Sequence, residues 1–363
     1  MTAARTAATH DVVAPDAEYI LPLRWSSDSG LAELSAYLRH LADWIPVTVV
    51  DGSDPALFES HRAAFPLAVR LIPPDQQHVS AAAQPSGDGR GSNGKVAGVM
   101  AGVRASEAEF LVIADDDVRY TREALAAVVH HLRSADVVRP QNYFAPLPWH
   151  ARWDTARTLL NRAWSADYPG TLAVRRSALL ATDGYAGVLF ENLELIRTIK
   201  AAGGTERILP GLFVARRPPT ARHFMRQRAR QAYDDFAQPQ RLLAELALLP
   251  AVAGTGLLPA AVRRVALLAL AGAAVACAEA GRRRDNGTAV FPASAAWFAP
   301  LWALERAACV WLAVFFGLAG GVPYAGGRIR TAAHSEAELR RRHAGKLAAA
   351  ARTQAPTMDG VPA

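Results

Sequence analysis

Phe110-Leu111-Val112-Ile113-Ala114 is an unbroken apolar run that gives way at once to Asp115-Asp116-Asp117. A run of that length and kind reads as a strand covered on both faces, as in a parallel sheet. The carboxylates then lie just past its C-terminal end, where open α/β sheets place their ligands. Three adjacent Asp side chains repel one another unless something positive sits among them. A hard divalent cation such as Mg2+ suits carboxylate and phosphate oxygens. The other reading is an acidic turn that caps the helix expected from Thr121 to His131, since Asp is common at such positions.

The rest of the chain extends the strand-and-helix pattern. Tyr19 to Leu23 and Ile45 to Val50 read as strands, and Leu67 to Ile72 as a third. Leu31 to Asp43 has apolar residues at 31, 34, 38 and 41, which is helical spacing. Asp51-Gly52-Ser53-Asp54-Pro55 is a turn signal. Pro73 to Gly94 is rich in Gln, Ala, Ser, Gly and Pro and reads as a loop over a site, after which Lys95 to Ala105 resumes helical spacing. The order predicts a parallel sheet with crossover helices. Further on, Ala135 to Arg139, Gly170 to Arg175 and Ile208 to Ala215 read as strands. Glu191 to Ala202 reads as a helix stopped by Gly203-Gly204.

With 363 residues, 51% of them hydrophobic and 20% charged, the chain is long enough for one large domain or two medium ones. The net charge of +7 suits nucleic acid, an anionic membrane surface or a phosphorylated substrate. Cys277 and Cys309 both stand in apolar stretches and offer neither a disulfide framework nor zinc spacing. Residues 1–16 lack the apolar core of a secretory signal and read as a disordered tail. Residues 17–241 read as the α/β domain that carries the acidic strand end.

From Arg216 to Arg241 the chain carries seven arginines, and beyond Leu242 its composition changes. Leu246 to Val262, Val265 to Ala278 and Ala307 to Gly327 are free of charge. A spanning helix needs roughly 20 apolar residues, a length that Ala307 to Gly327 meets. Leu246 to Ala278 meets it if Arg263-Arg264 snorkel or mark a turn. Residues 242–327 are therefore expected to form an apolar helical membrane region, and 328–363 a basic cytoplasmic tail. The other reading of this part is an all-helical soluble domain.

Several short motifs, in order, resemble the family 2 glycosyltransferases. Val49-Val50-Asp51-Gly52-Ser53 is similar to that family's strand-end Val-Asp-Asp-Gly-Ser, one Asp short. Asn93-Gly94-Lys95 is similar to its Gly-Lys helix opening, and Ile113 to Asp117 to its Asp-x-Asp motif. Glu191-Asn192-Leu193-Glu194-Leu195 resembles the Glu-Asp motif that supplies the base. Gln227-Arg228-Ala229-Arg230-Gln231 resembles Gln-x-x-Arg-Trp, with Gln231 in place of Trp. The likeness covers about residues 19–231, and the surroundings of Gly170 and Leu189 resemble the ceramide glucosyltransferase branch.

The resemblance implies a GT-A fold, a mostly parallel α/β sheet with flanking helices. It implies an inverting transfer from a nucleoside-diphosphate sugar to a hydroxyl, on a lipid or glycan acceptor near a membrane. Asp115 and Asp117 would hold Mn2+ or Mg2+ and so neutralise the departing diphosphate. Asp51 would bind the nucleobase or ribose, or else be a turn residue. Lys95 would pair with phosphate, and Gln227, Arg228 and Arg230 would reach the diphosphate or the acceptor, or belong to an arginine belt at a membrane surface. Asn192 stands where the family has its base and cannot take a proton at neutral pH. That leaves Glu191 first and Glu194 second, three residues apart on one helix face. Trp149, Trp153 and Trp164 would stack on sugar, lie at a membrane interface or fill the core.

Two other functions fit part of this pattern. A nucleotidyltransferase of similar fold also uses paired carboxylates and a metal, but no Gly-rich phosphate loop follows Leu23. A non-enzymatic membrane or nucleic-acid binder would use the Arg216 to Arg241 stretch. With the glycosyltransferase pattern in place, no nucleic-acid partner is expected.

Overall fold

The computed structural model describes residues 13–74, 93–182, 184–324 and 327–344. Most of the loop expected between Pro73 and Gly94 lies outside them, as do most of the expected N-terminal tail and the end of the basic tail.

An eight-stranded sheet has the order β3-β2-β1-β4-β7-β6-β8-β5. Its first half is parallel: β3 (Val69–Ile72), β2 (Val47–Asp51), β1 (Ala17–Leu23) and β4 (Phe110–Ala114). The apolar run of β4 and the Val-rich β2 are buried at every position because helices cover both faces, Thr48 and Asp51 of β2 included. On one face α1 (Leu31–Ala42) brings Leu34, Leu38 and Leu41 against Tyr19, Leu21 and Val112. On the other, α3 (Gly94–Ala105) brings Val96, Val99 and Met100 against Ile20, Leu111 and Ile113. Each such side chain taken wholly out of water contributes roughly 1.5–3 kcal/mol. Between β2 and β3 lies α2 (Pro55–Ala64), capped by the Asp54 side chain, which accepts from the N–H groups of Ala56 and Leu57.

The second half of the sheet is mixed. β7 (Thr171–Arg175) runs antiparallel to both β4 and β6 (Val137–Phe144). β8 (Glu206–Arg216) lies parallel to β6, and β5 (Val118–Arg119) closes the edge antiparallel to β8. The expected sheet is present, with these antiparallel pairs inserted into it. They matter to the site: β7 delivers Gly170 to the tip of β4, and the β5–β8 register sets Arg216 opposite Val118.

The remaining helices are α4 (Arg122–His131), α5 (Trp149–Trp164), α6 (Arg176–Leu180), α7 (Glu191–Ala201), α8 (Ala221–Tyr233), α9 (Pro239–Gly254), α10 (Ala260–Arg283), α11 (Ala293–Ala296) and α12 (Ala299–Leu318). The apolar helices are not set apart from the sheet-bearing half. At Gly281 of α10 a Cβ would stand 1.9 Å from the Leu159 carbonyl oxygen of α5, so only glycine admits this approach. Arg162 of α5 is buried and donates to the carbonyls of Gly281 (3.2 Å) and Pro210 (2.6 Å). Arg306 of α12 is buried against Asp235 at 2.9 Å. A buried cation is tolerated only when paired in this way.

Three expectations from sequence change here. The uncharged run Ala307 to Gly327 is not one helix. α12 ends at Leu318, and Gly320 and Gly321, at φ 90° and 113°, reverse the chain into the hairpin β9 (Val322–Tyr324) and β10 (Gly327–Ile329). The start of the expected basic tail packs on the body, with Ile329, Ala332, His334 and Leu339 buried. At the other end, Val13 donates its N–H to the Trp44 carbonyl (2.8 Å) and Ala14 joins the core, so the ordered chain begins before residue 17.

Candidate functional site

The acidic triplet follows β4 directly. Its position is fixed by the Asp115 N–H, which donates to the Gly170 carbonyl at 2.9 Å. Lys95 opens α3, where the Asn93 side chain caps the helix by accepting from the Lys95 N–H. That places the Lys95 ammonium 2.5 Å from Asp115 Oδ1 and 2.6 Å from Glu191 Oε1. Glu191 is the first residue of α7, and Asn93 Nδ2 donates to its other oxygen at 3.3 Å. Lys95 therefore joins the strand tip to the helix mouth. Burial opposes its charge, but Asp115 and Glu191 outweigh that and raise its pKa, so it stays an ammonium.

From the far side Arg216 donates through Nε to both oxygens of Asp117 (2.8 Å each) and through a terminal nitrogen to Asp115 (3.1 Å). Gly170 makes room for this contact, because a Cβ there would lie 2.7 Å from Asp115 Oδ2 and 2.9 Å from Arg216 Cζ. Asp116 turns aside and accepts from the Trp25 indole N–H. Burial favours the neutral acid at Asp115, yet Lys95 and Arg216 outweigh it and hold that carboxyl below its ordinary value. Burial pushes Asp117 up to about 6; Arg216 opposes the rise, and Asp115 adds to it.

Four carboxylates, Asp115, Asp116, Asp117 and Glu191, thus meet two cations, Lys95 and Arg216. Counted by contact alone, the carboxylates outnumber the cations they touch, and the strand tip offers hard oxygen donors. Those are the conditions under which Mg2+ or Mn2+ binds through one or two carboxylates and completes its shell with phosphate. Asp115 and Asp117 fit such an ion by chemistry, although among the described residues no cluster of three or more His, Cys, Asp or Glu is arranged to enclose one.

A cleft of about 640 Å³ opens beside these groups, lined by Leu23, Arg24, Trp25, Gly52, Lys95, Asp115 and Tyr324 among others. Tyr324 arrives from the β9–β10 hairpin. Its hydroxyl donates to Asn93 Oδ1 at 3.1 Å, and the Arg230 guanidinium lies 5.5 Å from its ring centre.

The structure thus gathers Asp115, Asp117, Lys95, Glu191 and Arg230, and turns other expected residues elsewhere. Asp51 is buried, with Oδ2 2.6 Å from His61 Nδ1 and Oδ1 accepting from the Ser53 N–H at 2.9 Å. It has the turn role, and its neighbours Val50 and Gly52 line the cleft instead. Gln227 is bound to the exposed His223 ring. Arg228 points into the helices, 3.1 Å from Asp154 and 3.4 Å from Glu305. Of the tryptophans, Trp153 packs against Phe224 and Trp149, while Trp164 is exposed.

The two base candidates also separate. Glu194 has no exposed surface. One oxygen lies 2.6 Å from His334 Nδ1 and the other accepts from the His334 N–H at 2.8 Å. Together with the N–H groups of Leu189 and Phe190, which donate to the Thr331 and Ala332 carbonyls, it straps the 331–334 segment to the start of α7. Glu194→Ala is expected to cost on the order of 3 kcal/mol of stability, as for any buried pair that loses one partner, read as a lower midpoint in urea unfolding. An unchanged midpoint would refute the strap. Asn192 is occupied as well, donating to the Pro169 carbonyl at 3.0 Å.

No protein-family model and no curated protein sequence matches the chain. Among solved structures, the mannosyltransferase PcManGT from Pyrobaculum calidifontis, in complex with GDP-Man and Mn2+, is 19% identical. The match covers 82% of this chain and 87% of that one, with a TM-score of 0.50. Glucosyl-3-phosphoglycerate synthase from Mycobacterium tuberculosis, in complex with Mn2+, UDP and glucosyl-3-phosphoglycerate, is 16% identical over 58% of this chain and 76% of that one, at 0.39. Mannosyl-3-phosphoglycerate synthase from Rubrobacter xylanophilus is 14% identical over 58% and 69%, at 0.37. At such identities the first likeness is one of fold, and it agrees with the GT-A-like α/β architecture described above.

Proposed function

We propose that this chain is a family 2-like glycosyltransferase, moving a sugar from a nucleoside-diphosphate donor to a hydroxyl acceptor with inversion at the anomeric carbon. The observation that carries this reading is the bridge from Asp115 through Lys95 to Glu191. It puts phosphate-binding charge, metal-binding oxygens and a candidate base around one point at the mouth of a cleft. PcManGT, which shares the fold, is itself a mannosyltransferase bound to a sugar nucleotide.

Nucleotide and sugar would lie in the cleft beside Gly52, Trp25 and Lys95. Lys95 would exchange its carboxylate partners for diphosphate oxygens, which frees Glu191. Arg216 holds Asp115 and Asp117 beside each other at the edge of the cleft, and their oxygens would pass from Arg216 and Lys95 to the ion as the donor enters. A Mn2+ or Mg2+ ion held by Asp115 and Asp117 would supply charge neutralisation for the leaving diphosphate. Glu191 would take the proton of the acceptor hydroxyl as its oxygen attacks the anomeric carbon, and the anomeric C–O bond to the diphosphate breaks. Arg230 and Tyr324 would form the acceptor-side wall. Asp51 would act through the loop it holds together.

The acceptor is placed at a membrane, lipid-linked or glycan, with the catalytic half on the cytoplasmic side. Residues 260–289 and 293–318 are long and apolar enough to cross one, and the Gly170 and Leu189 surroundings resemble the ceramide glucosyltransferase branch. The binder reading is weakened, because four of the seven arginines, Arg216, Arg217, Arg228 and Arg241, are each paired with an acid.

The test is release of nucleoside diphosphate by membranes carrying the protein, across a panel of sugar nucleotides with Mn2+, Mg2+ or chelator. Release from one or a few donors, lost with chelator and restored by Mn2+, is expected. Absence of release from every donor would overturn the assignment.

A further inference from the structure

The membrane part of that reading can be made sharper, because the lengths of free helix are fixed by what their ends hold. α9 is tied down up to Glu245, which is buried with its Oε2 3.9 Å from Arg306 of α12. α10 is tied down from Ala274, which packs with Phe291 and Trp302, to Gly281 against α5. Between those anchors, residues 246–273 run as two successive helices joined at Thr255–Leu257, a helix-turn-helix arm. Its surface is apolar: Leu257 is 91% exposed, Leu268 73% and Val265 67%. Its only charges are Arg263 and Arg264, which have no acidic partner among the described residues.

The free part of α10, from Ala260 to about Ala273, is roughly 21 Å long at about 1.5 Å per residue. A hydrocarbon core is about 30 Å thick, and half a bilayer with its headgroups is on the order of 20 Å. The arm is thus too short to cross and long enough to enter one leaflet. α12 does not cross either. Trp302, Arg306, Val310 and Ala313 are buried against the body, whereas Leu304, Trp311, Phe315 and Leu318 face outward. A bilayer wrapped around α12 would also have to take in α8 beside it, with its four arginines.

We infer that this protein is monotopic. The α9–α10 arm enters the near leaflet of an anionic membrane, with Leu257 and Leu258 among the acyl chains and Arg263 and Arg264 snorkelled to lipid phosphates, while the outward stripe of α12 lies along the same surface. This rests on the membrane reading above but denies the crossing that sequence suggests. Exposed apolar area of this extent needs a cover, and the arginine couple near the tip, with no acid to balance it, selects an anionic one.

Purified full-length protein is mixed with vesicles of phosphatidylcholine alone or with about 30% phosphatidylglycerol and floated on a density gradient. Flotation is expected chiefly with the anionic vesicles. Leu257→Asp with Leu258→Asp should weaken it at least tenfold without altering the circular dichroism, and Arg263→Glu with Arg264→Glu should remove the preference for phosphatidylglycerol. A Leu257→Cys protein, with Cys277 and Cys309 replaced by Ala and a fluorophore attached to the introduced thiol, should be quenched by a shallow lipid-borne nitroxide. The unlabelled protein should not react with a maleimide sealed inside the vesicles. Reaction with the sealed reagent would overturn the one-leaflet inference while leaving the membrane reading intact. Failure to float with either vesicle would overturn both, and nucleoside-diphosphate release, measured separately, reports on glycosyl transfer alone.

Discussion

Asp117→Ala is expected to cut nucleoside-diphosphate release by about 10²–10³-fold, the usual cost of losing one preorganised electrostatic contact to a developing negative charge. Two properties of the site set that size. Asp117 is one of the two oxygen donors proposed for the ion, and it is the partner that orients Arg216 toward Asp115. Stability should change little. The Asp117 carboxyl is already disfavoured by burial, and Arg216 keeps Asp115 when Asp117 is gone. Activity and the thermal unfolding midpoint should therefore come apart in this variant. Wild-type release with a normal midpoint would count directly against metal binding at the strand tip.

Glu191→Gln should lower kcat by about 10²–10⁴-fold, the range general-base catalysis contributes, with a smaller effect on KM for the donor. Gln keeps the shape and can still accept from Lys95, so the change isolates proton transfer from packing. The comparison with Glu194 is decisive. That side chain has no exposed surface and its oxygens are engaged by His334, so its replacement should lower stability far more than it lowers the rate of the folded fraction. Equal wild-type turnover in Glu191→Gln would defeat the assignment of the base.

How much of this was readable in the sequence depended on the range of the interaction. The Phe110 strand and its acidic end announce themselves locally, since an apolar run that stops at three Asp fits a buried strand ending at a polar sheet edge and little else. Lys95 and Glu191 were legible as the openings of helices. The partnerships were not. Arg216 meets Asp117 only because an antiparallel edge strand sets its register, and it stood in the sequence as one of seven arginines without distinction. Arg228 and Arg230 are two residues apart, yet one turns to Asp154 and the other to Tyr324. Helical periodicity permits that divergence but does not say which faces the cleft. Glu194 was legible as a carboxylate three residues from Glu191, but its use depends on His334, 140 positions away. The uncharged stretch 307–327 misled because hydropathy does not register a reversal made by two glycines with positive φ.

The hairpin that carries Tyr324 and the strap through His334 follow the apolar helices in the chain, yet they complete the wall and brace the helix of a site whose other parts come from the first two thirds of the sequence. During translation the sheet half therefore leaves the ribosome before its closing pieces exist. If the chain is the membrane-bound glycosyltransferase proposed above, turnover can begin only after the α9–α10 segment has been made and the polypeptide has doubled back on itself, so the order of synthesis would delay catalysis until that segment has had the chance to reach a bilayer.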